Sequence, residues 1–272
     1  MNHLLRELAP IPDAAWAAID DEARQRLTPL LTARTLVDWD GPGGWKRSAT
    51  NLGRTEPLDG PPPGAQAEAG IRAQRRRVLP LTEFQVPFTV SRQEIRDIQR
   101  GAADVDLADL DRAARHAAEI ENRAIFHGWP AAGITGVAGA SSLRPLELGE
   151  DPDTYPSVVA RAVDALRRSG IGSPYTLAIG PDGFTRIVES TEHGGYLLVE
   201  HLRRVLDGAV VRVPGLNGGV VLSRRGGDFR LVVGQDLSIG YSDHDADTVR
   251  LYLEESFTFR ALEPDAAVPL TG

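Results

Sequence analysis

The chain reads as an α+β protein in which a second lobe is inserted into a first whose strands come from both ends of the sequence. Three observations predict this. Phe84, Val86, Phe88 and Val90 alternate with polar or small residues, the mark of a half-buried strand, and two helical patterns follow it. Between about residues 131 and 219 helices and strands alternate, punctuated by glycines and prolines. The remainder is β-rich and contains the clearest strand in the protein, with Val249, Leu251, Leu253, Phe257 and Phe259 on one face and Arg250, Glu254, Ser256, Thr258 and Arg260 on the other.

Taken in order, the elements begin with an amphipathic helix. After the Pro10-Ile11-Pro12 break, Trp16, Ile19, Ala23, Leu27, Leu30 and Leu31 recur at helical spacing. On its outer face Asp20 precedes Arg24, and Glu22 precedes Arg26, by four residues, the favourable acid-before-base order. Pro29 cannot donate a helical hydrogen bond and predicts an end near Leu27. A turn at Gly41-Pro42-Gly43-Gly44 leads into residues 45–81, which have no helical period and carry Pro61-Pro62-Pro63 in their middle. That segment reads as a long hairpin or projecting loop, and so long a connection in a compact domain is expected to be a binding element or a disordered linker. Ser91 and Glu94 fit a capping box, opening a short helix that ends at Gly101. A longer, alanine-rich helix runs from near Asp106 through Leu107, Leu110, Ala114, Ala117, Ile120 and Ala124 to Gly128, and is expected to be the central packing helix. In the inserted lobe the pattern predicts helices over 158–168, 184–190 and 197–206 with strands at 175–179 and 210–213. Strands at 220–223 and 229–233, joined by an Arg225-Gly226-Gly227-Asp228 turn, precede the long strand.

Composition removes several function classes. The 272 residues include 30 basic and 38 acidic side chains, a net charge of −8, and no cysteine. Beyond Arg75-Arg76-Arg77 there is no basic tract with which to neutralise phosphates, so no nucleic acid is expected as a partner. Disulfides, thiolate metal sites and cysteine nucleophiles are impossible. No apolar run is long enough to span a bilayer and no signal-peptide order is present, so the expected location is the cytoplasm, with no membrane partner.

The patterns that could carry chemistry all have plainer readings. His116 and Glu119 have the spacing of a metal-bundle pair but lack acidic residues on other helices, and read as a solvated helix face. Gly133, Gly136 and Gly139 match neither phosphate-loop fingerprint. Asp243-His244-Asp245 with Asp247 lacks the glycine and terminal glutamate of a calcium loop. No Gly-x-Ser-x-Gly elbow marks a hydrolase. No catalytic and no metal-ligating residue is therefore assigned.

A resemblance carries the reading further. Leu8-Ala9-Pro10, Trp16, Gly41-Pro42-x-Gly44-Trp45, Pro87-Phe88-Thr89-Val90-Ser91, Ile125-Phe126-x-Gly128 and Gly172-x-Pro174-Tyr175-Thr176-Leu177 stand in family order. So do Arg225-Gly226-Gly227-Asp228-Phe229, the run from Gly234 to Tyr241, and Thr248-Val249-Arg250-Leu251-Tyr252. Together they resemble the linocin-like encapsulin shell proteins of family 1 across essentially the whole chain. The resemblance implies the HK97 phage-capsid-like fold, with a peripheral domain, an axial domain and an extended loop. It divides the chain into an N-terminal helix and start of the peripheral domain (1–44), the extended loop (45–82), the peripheral domain with its spine helix (83–130), the axial domain (131–219) and the C-terminal peripheral strands (220–272).

The same resemblance implies a function without catalysis: a self-assembling nanocompartment shell, a closed icosahedral homo-oligomer of sixty subunits (T=1), enclosing a cargo enzyme that carries a C-terminal targeting peptide. The implied cargo is a dye-decolorising haem peroxidase, with a ferritin-like protein second; haem or iron would belong to that cargo. The peptide groove would be lined by Arg34, Asp38, Asp236, Leu237, Ile239 and Tyr241, where an extended peptide can set apolar side chains against Leu237 and Ile239. Glu189, Glu192, His193, Gly194, Gly195 and Tyr196 would lie at the five-fold pore, where a ring of repeated charge can select small ions. Some members hold flavin through a Trp in the helix after the capping serine; Gln93 occupies that place here, so no flavin is expected. The alternatives are a bacteriocin- or protease-type enzyme and a viral major capsid protein.

Overall fold

Ala15, Trp16, Ile19, Ala23 and Leu27 form the buried stripe of a helix, α1 (Asp13–Leu27), in the computed structural model, which describes residues 2–60, 72–191 and 195–272. The helix stops where expected: Thr28 turns its hydroxyl back onto the Arg24 carbonyl at 2.7 Å, and Pro29 follows. The chain then makes a short strand, β1 (Asp38–Asp40), and enters a two-stranded hairpin of β2 (Ala49–Pro57) and β3 (Gln74–Pro80). Among the described residues these two pair with each other and with no further strand, as a projecting element would.

Next come β4 (Thr82–Ser91), α2 (Arg92–Arg100) and α3 (Ala108–Phe126). The capping box is half formed. Ser91 accepts the Gln93 amide hydrogen at 3.1 Å, but Glu94 reaches the Asp106 amide instead of returning to Ser91. The Arg92 amide bonds to the Asp247 carbonyl, so the helix start is tied to a distant turn. In α3, Ala113, Ala114, Ala117 and Ala118 are buried, and their small side chains let the helix lie close against β4 and α1.

The second lobe contains α4 (Val137–Ala140), β5 (Leu146–Glu147), α5 (Tyr155–Arg168), β6 (Tyr175–Ile179), α6 (Pro181–Glu189), α7 (Leu198–Leu206) and β7 (Val210–Arg212). The chain closes with β8 (Gly219–Ser223), β9 (Phe229–Val233), β10 (Ser238–His244), β11 (Thr248–Ala261) and β12 (Ala267–Thr271).

Two five-stranded sheets organise these elements. In the first, β4 runs antiparallel along one side of β11, and β10 and then β9 take successive stretches of the other side, with β1 parallel to β9 beyond. The second has the order β5-β12-β8-β6-β7. The 220–272 segment is thereby divided. Strands β9 to β11 belong to the first sheet, but β8 lies between β6 and β12 in the second, so the boundary expected near 219 is displaced. The long strand is also not the last one: β12 follows it, and its Val268 and Leu270 are buried. The five buried residues of β8 and the four consecutive buried residues of β12 show no alternating pattern from which their sheet could be read.

Of the three glycines after α3, Gly136 serves close packing, while Gly133 supplies a left-handed φ of 69° at a turn. Gly128 and Gly136 face each other across the Trp129–Ile134 bridge so closely that a Cβ on Gly136 would stand 2.2 Å from the Gly128 nitrogen. His116 is exposed and Glu119 half-buried on α3. The Asp243 to Asp247 stretch is the turn from β10 into β11, where Asp245 accepts the Asp247 and Thr248 amides, which hold its pKa down at about 2.

Candidate functional site

A groove of about 410 Å³ runs between the N-terminal segment, α1 and the start of β10. Leu4, Ala23, Leu27 and Leu31 form one wall, and Leu237, Ile239 and Leu253 the other. The N-terminal segment is fastened along β10 by the Tyr241 amide, which donates to the Leu4 carbonyl at 2.8 Å. His3 is fastened twice, with its Nε2 2.9 Å from the buried Glu254 carboxylate and its ring stacked 4.4 Å from that of Trp45. Arg6 closes one end. It grips Asp20 through two bonds of 3.1 and 2.7 Å and lies 3.9 Å over the Trp16 ring.

Arg34 closes the other end, in the turn after α1. Its Nε donates to Glu121 Oε2 at 2.6 Å, and its two terminal nitrogens donate to Asp236 Oδ1 at 2.8 Å and Glu255 Oε1 at 2.5 Å. The guanidinium also lies 4.7 Å from the Trp39 ring centre. Burial works against the charge on Arg34, but three carboxylates outweigh it and raise its pKa. Glu121 on α3 and Glu255 on β11 have no exposed surface, and burial pushes both carboxyls up; at Glu255 the effect is large and reinforced by Glu121. Asp236 is the exposed member of the set, with 41% of its side chain open, and its Oδ1 also accepts the Leu237 amide.

Of the six residues expected in the groove, the fold brings Arg34, Asp236, Leu237 and Ile239 together. Asp38 lies elsewhere: its Oδ2 accepts the Gly227 amide at 2.7 Å, and it lines a small pocket with Arg224 and Asp228. Tyr241 is buried one turn of the pleat beyond Ile239, with its hydroxyl 2.5 Å from His244 Nδ1, and does not line the groove. Sequence reasoning missed Glu121 and Glu255. Each carried a signal: Glu121 falls four residues after Ala117 on the buried stripe of α3, and Glu255 sits between Leu253 and Phe257 on the inward face of β11.

At the tip of the second lobe, Glu189 ends α6 at the surface, and Gly195 takes a left-handed φ of 80°. Tyr196 lies under the Arg204 guanidinium, which donates to its hydroxyl at 2.9 Å. Glu192, His193 and Gly194, expected at the same place, lie outside the described residues. Among the described residues no group of three or more His, Asp or Glu side chains is arranged to hold a metal ion, and no helix is long and apolar enough to cross a membrane.

Against known proteins, residues 1–258 match the family model Linocin_M18, described as encapsulating protein for peroxidase. The chain belongs to the encapsulin shell family. The type 1 encapsulin shell protein of Rhodospirillum rubrum is 48% identical over 272 residues, covering 100% of this chain and 97% of that one. That of Mycobacterium tuberculosis is 42% identical over 271 residues, covering 100% of both. Among solved structures, the virus-like particle from Pyrococcus furiosus aligns with a TM-score of 0.60 at 18% identity over 94% of this chain and 97% of that one. The capsid of the empty GTA particle aligns at 0.55 and 14% identity, over 88% and 89%. These neighbours establish the HK97 capsid-like fold for this encapsulin, with its two sheets and projecting hairpin.

Proposed function

We propose that this encapsulin subunit builds a closed sixty-subunit cytoplasmic shell and loads its cargo by seating a C-terminal peptide of the cargo in the groove between α1 and β10. The observation that carries the docking reading is the groove itself: two apolar walls, with both ends held by arginines already engaged to carboxylates. An extended peptide gains burial from Leu27, Leu31, Leu237 and Ile239, while the charged ends fix its register. A single short peptide binds weakly, but many identical sites facing one multimeric cargo multiply that affinity. The cargo proposed is a dye-decolorising peroxidase, in keeping with the word peroxidase in the family description, with a ferritin-like protein as second choice, a ferritin-like fusion in Pyrococcus furiosus being 22% identical over 205 residues. Shell proteins among the relatives favour a structural role without catalysis over a protease or bacteriocin.

We also propose that the shell carries no flavin. The Gln93 side chain is spent on α2, donating to Asp97 and accepting from Arg96. The proposed pore contact is the loop of Glu189, Glu192, His193, Gly194, Gly195 and Tyr196, of which the described Glu189, Gly195 and Tyr196 are exposed.

Leu237→Asp tests the groove. Leu237 is only half-buried, so the variant is expected to assemble normally but to leave the shell empty, whereas Asp at the buried Ile239 would also damage the sheet. Negative-stain microscopy of particles from the native cells, with mass spectrometry of what co-purifies, reads both properties. Full cargo loading in Leu237→Asp would remove the groove from consideration, and the absence of hollow particles in the unmodified protein would remove the shell.

A further inference from the structure

Glu121 and Glu255 pose a problem of charge that the rest of the groove does not. Both carboxyl groups are wholly buried, and each gives one oxygen to Arg34. The other oxygens, Glu121 Oε1 and Glu255 Oε2, have no donor among the described residues. Both side chains are drawn to the one guanidinium of Arg34 and each acts on the other's titration, yet two carboxylates cannot hydrogen-bond without a proton between them. The groups that face the pair are few. The turn after α1 supplies Arg34, the segment before β10 supplies Asp236, and β4 presents the apolar Phe84 opposite Glu255 in register. One cation therefore serves three carboxyl groups, and Asp236, the exposed one, is the member that water can solvate as an anion.

We infer that Glu121 and Glu255 share a single proton at neutral pH, and that this proton holds Arg34, and through it the Asp236 end of the groove, in place. With the proton present, one carboxyl donates to the other, every buried oxygen is satisfied, and the pair carries one negative charge against Arg34. Hydroxide removes that proton as water. Two buried anions then oppose each other with no second cation, and the arrangement relieves itself by admitting water at the Arg34 turn. Because the unfolded glutamates release their protons at about pH 4.3, the stability that the shared proton confers is full below that value and declines as pH rises from there through the pair's elevated titration. Glu121 and Glu255 are thus positioning residues: they do not line the groove, and they set the residue that does. The device belongs to the chain whether or not the groove holds a peptide.

Infrared spectroscopy of the assembled protein provides a direct test. At pH 8, where ordinary carboxylates are ionised, the unmodified protein is expected to retain the carbonyl stretch of a protonated carboxyl group, shifted in D2O. Glu255→Gln and Glu121→Gln should each abolish that band, because the amide donates where the proton did and the remaining carboxylate pairs with Arg34. Raising the pH should bleach the band in the unmodified protein. In parallel, hydrogen exchange corrected for its intrinsic pH dependence should rise in residues 30–40 and 234–240, and both Gln variants should show a flat alkaline profile there. The absence of the band in the unmodified protein at pH 8 would overturn the inference, and so would its survival in both variants. If a Gln variant fails to assemble, the band and its titration in the unmodified protein decide alone. Cargo loading enters neither readout, so a failed docking assignment and a failed proton pair give different results.

Discussion

Asn122 shows how much a single side chain can organise in this subunit. It is fully buried on α3, accepts the Ala33 amide at 3.0 Å, and donates to the Leu30 carbonyl at 2.9 Å and the Pro214 carbonyl at 3.1 Å. One amide thus holds the turn that carries Arg34 and the loop that leads into β8. Asn122→Ala would orphan a buried amide and two carbonyls, at a cost of about 2–4 kcal/mol per subunit. A lowered denaturant midpoint of the assembled protein is the expected result, and an unchanged midpoint would show that water replaces all three bonds. Asn122 and its neighbour Glu121 went unassigned for one reason: a polar residue on an apolar stripe signals burial, but the partners that give it a role come from elements far away in sequence. Asp38 failed in the opposite sense. It is polar and four residues from Arg34 in sequence, but it opens β1, beyond the turn that carries Arg34, and its carboxylate accepts the Gly227 amide.

The hairpin of β2 and β3 is the element whose structure is least explained by the isolated chain. A two-stranded ribbon is marginal by itself in water, and this one exposes Leu58 and Val78, the latter at 52%. Arg54 pairs with Arg77, and Glu56 with Arg75, across the ribbon, so its one face is mainly basic on a chain of net charge −8. Val78→Glu is expected to leave the secondary structure of the subunit unchanged by circular dichroism while shifting light-scattering mass from shells to small species. Shells in normal yield would mean that Val78 faces solvent in the assembly as well. Most elements were legible in the sequence because each has its own period: α1, β4, α3, α5 and β11 fall within a few residues of the patterned segments. Sheet membership was less legible. The pairing of β12 with β8 and β5 depends on how the two ends of the inserted lobe close on each other, which local alternation does not encode. Half of the groove was likewise readable from resemblance, while its buried carboxyl end emerged only when α3 met β11.

Across the whole molecule, α3 is the rail on which the two lobes are mounted, and its two flanks respond to opposite ends of the pH scale. Toward the first sheet it presents Glu121, whose shared proton belongs to the neutral side and is lost in alkali. Toward the second lobe, Arg123 donates to the Gly215 carbonyl at 3.0 Å, and His127 Nε2 accepts the Asn217 amide at 3.1 Å. A histidine nitrogen that accepts a hydrogen bond must be unprotonated, and partial burial with the adjacent Arg123 lowers the His127 pKa in keeping with that role. The sign follows from linkage. In the unfolded chain the imidazole takes its proton near pH 6.5, earlier than in the folded one, so stability is full above that value and declines as pH falls from there through the lowered folded-state pKa. Because His127 stands at the surface, the effect is a small one, of the order of a single exposed hydrogen bond, about 0.5–1 kcal/mol. In His127→Gln the side-chain carbonyl can still accept from Asn217 but does not titrate. Melting temperatures measured from pH 7.5 to 5 should therefore fall less steeply in His127→Gln than in the unmodified protein, with the two curves meeting above pH 7. Parallel curves across that range would assign the acid response to other groups and leave α3 sensitive to pH on its Glu121 flank alone.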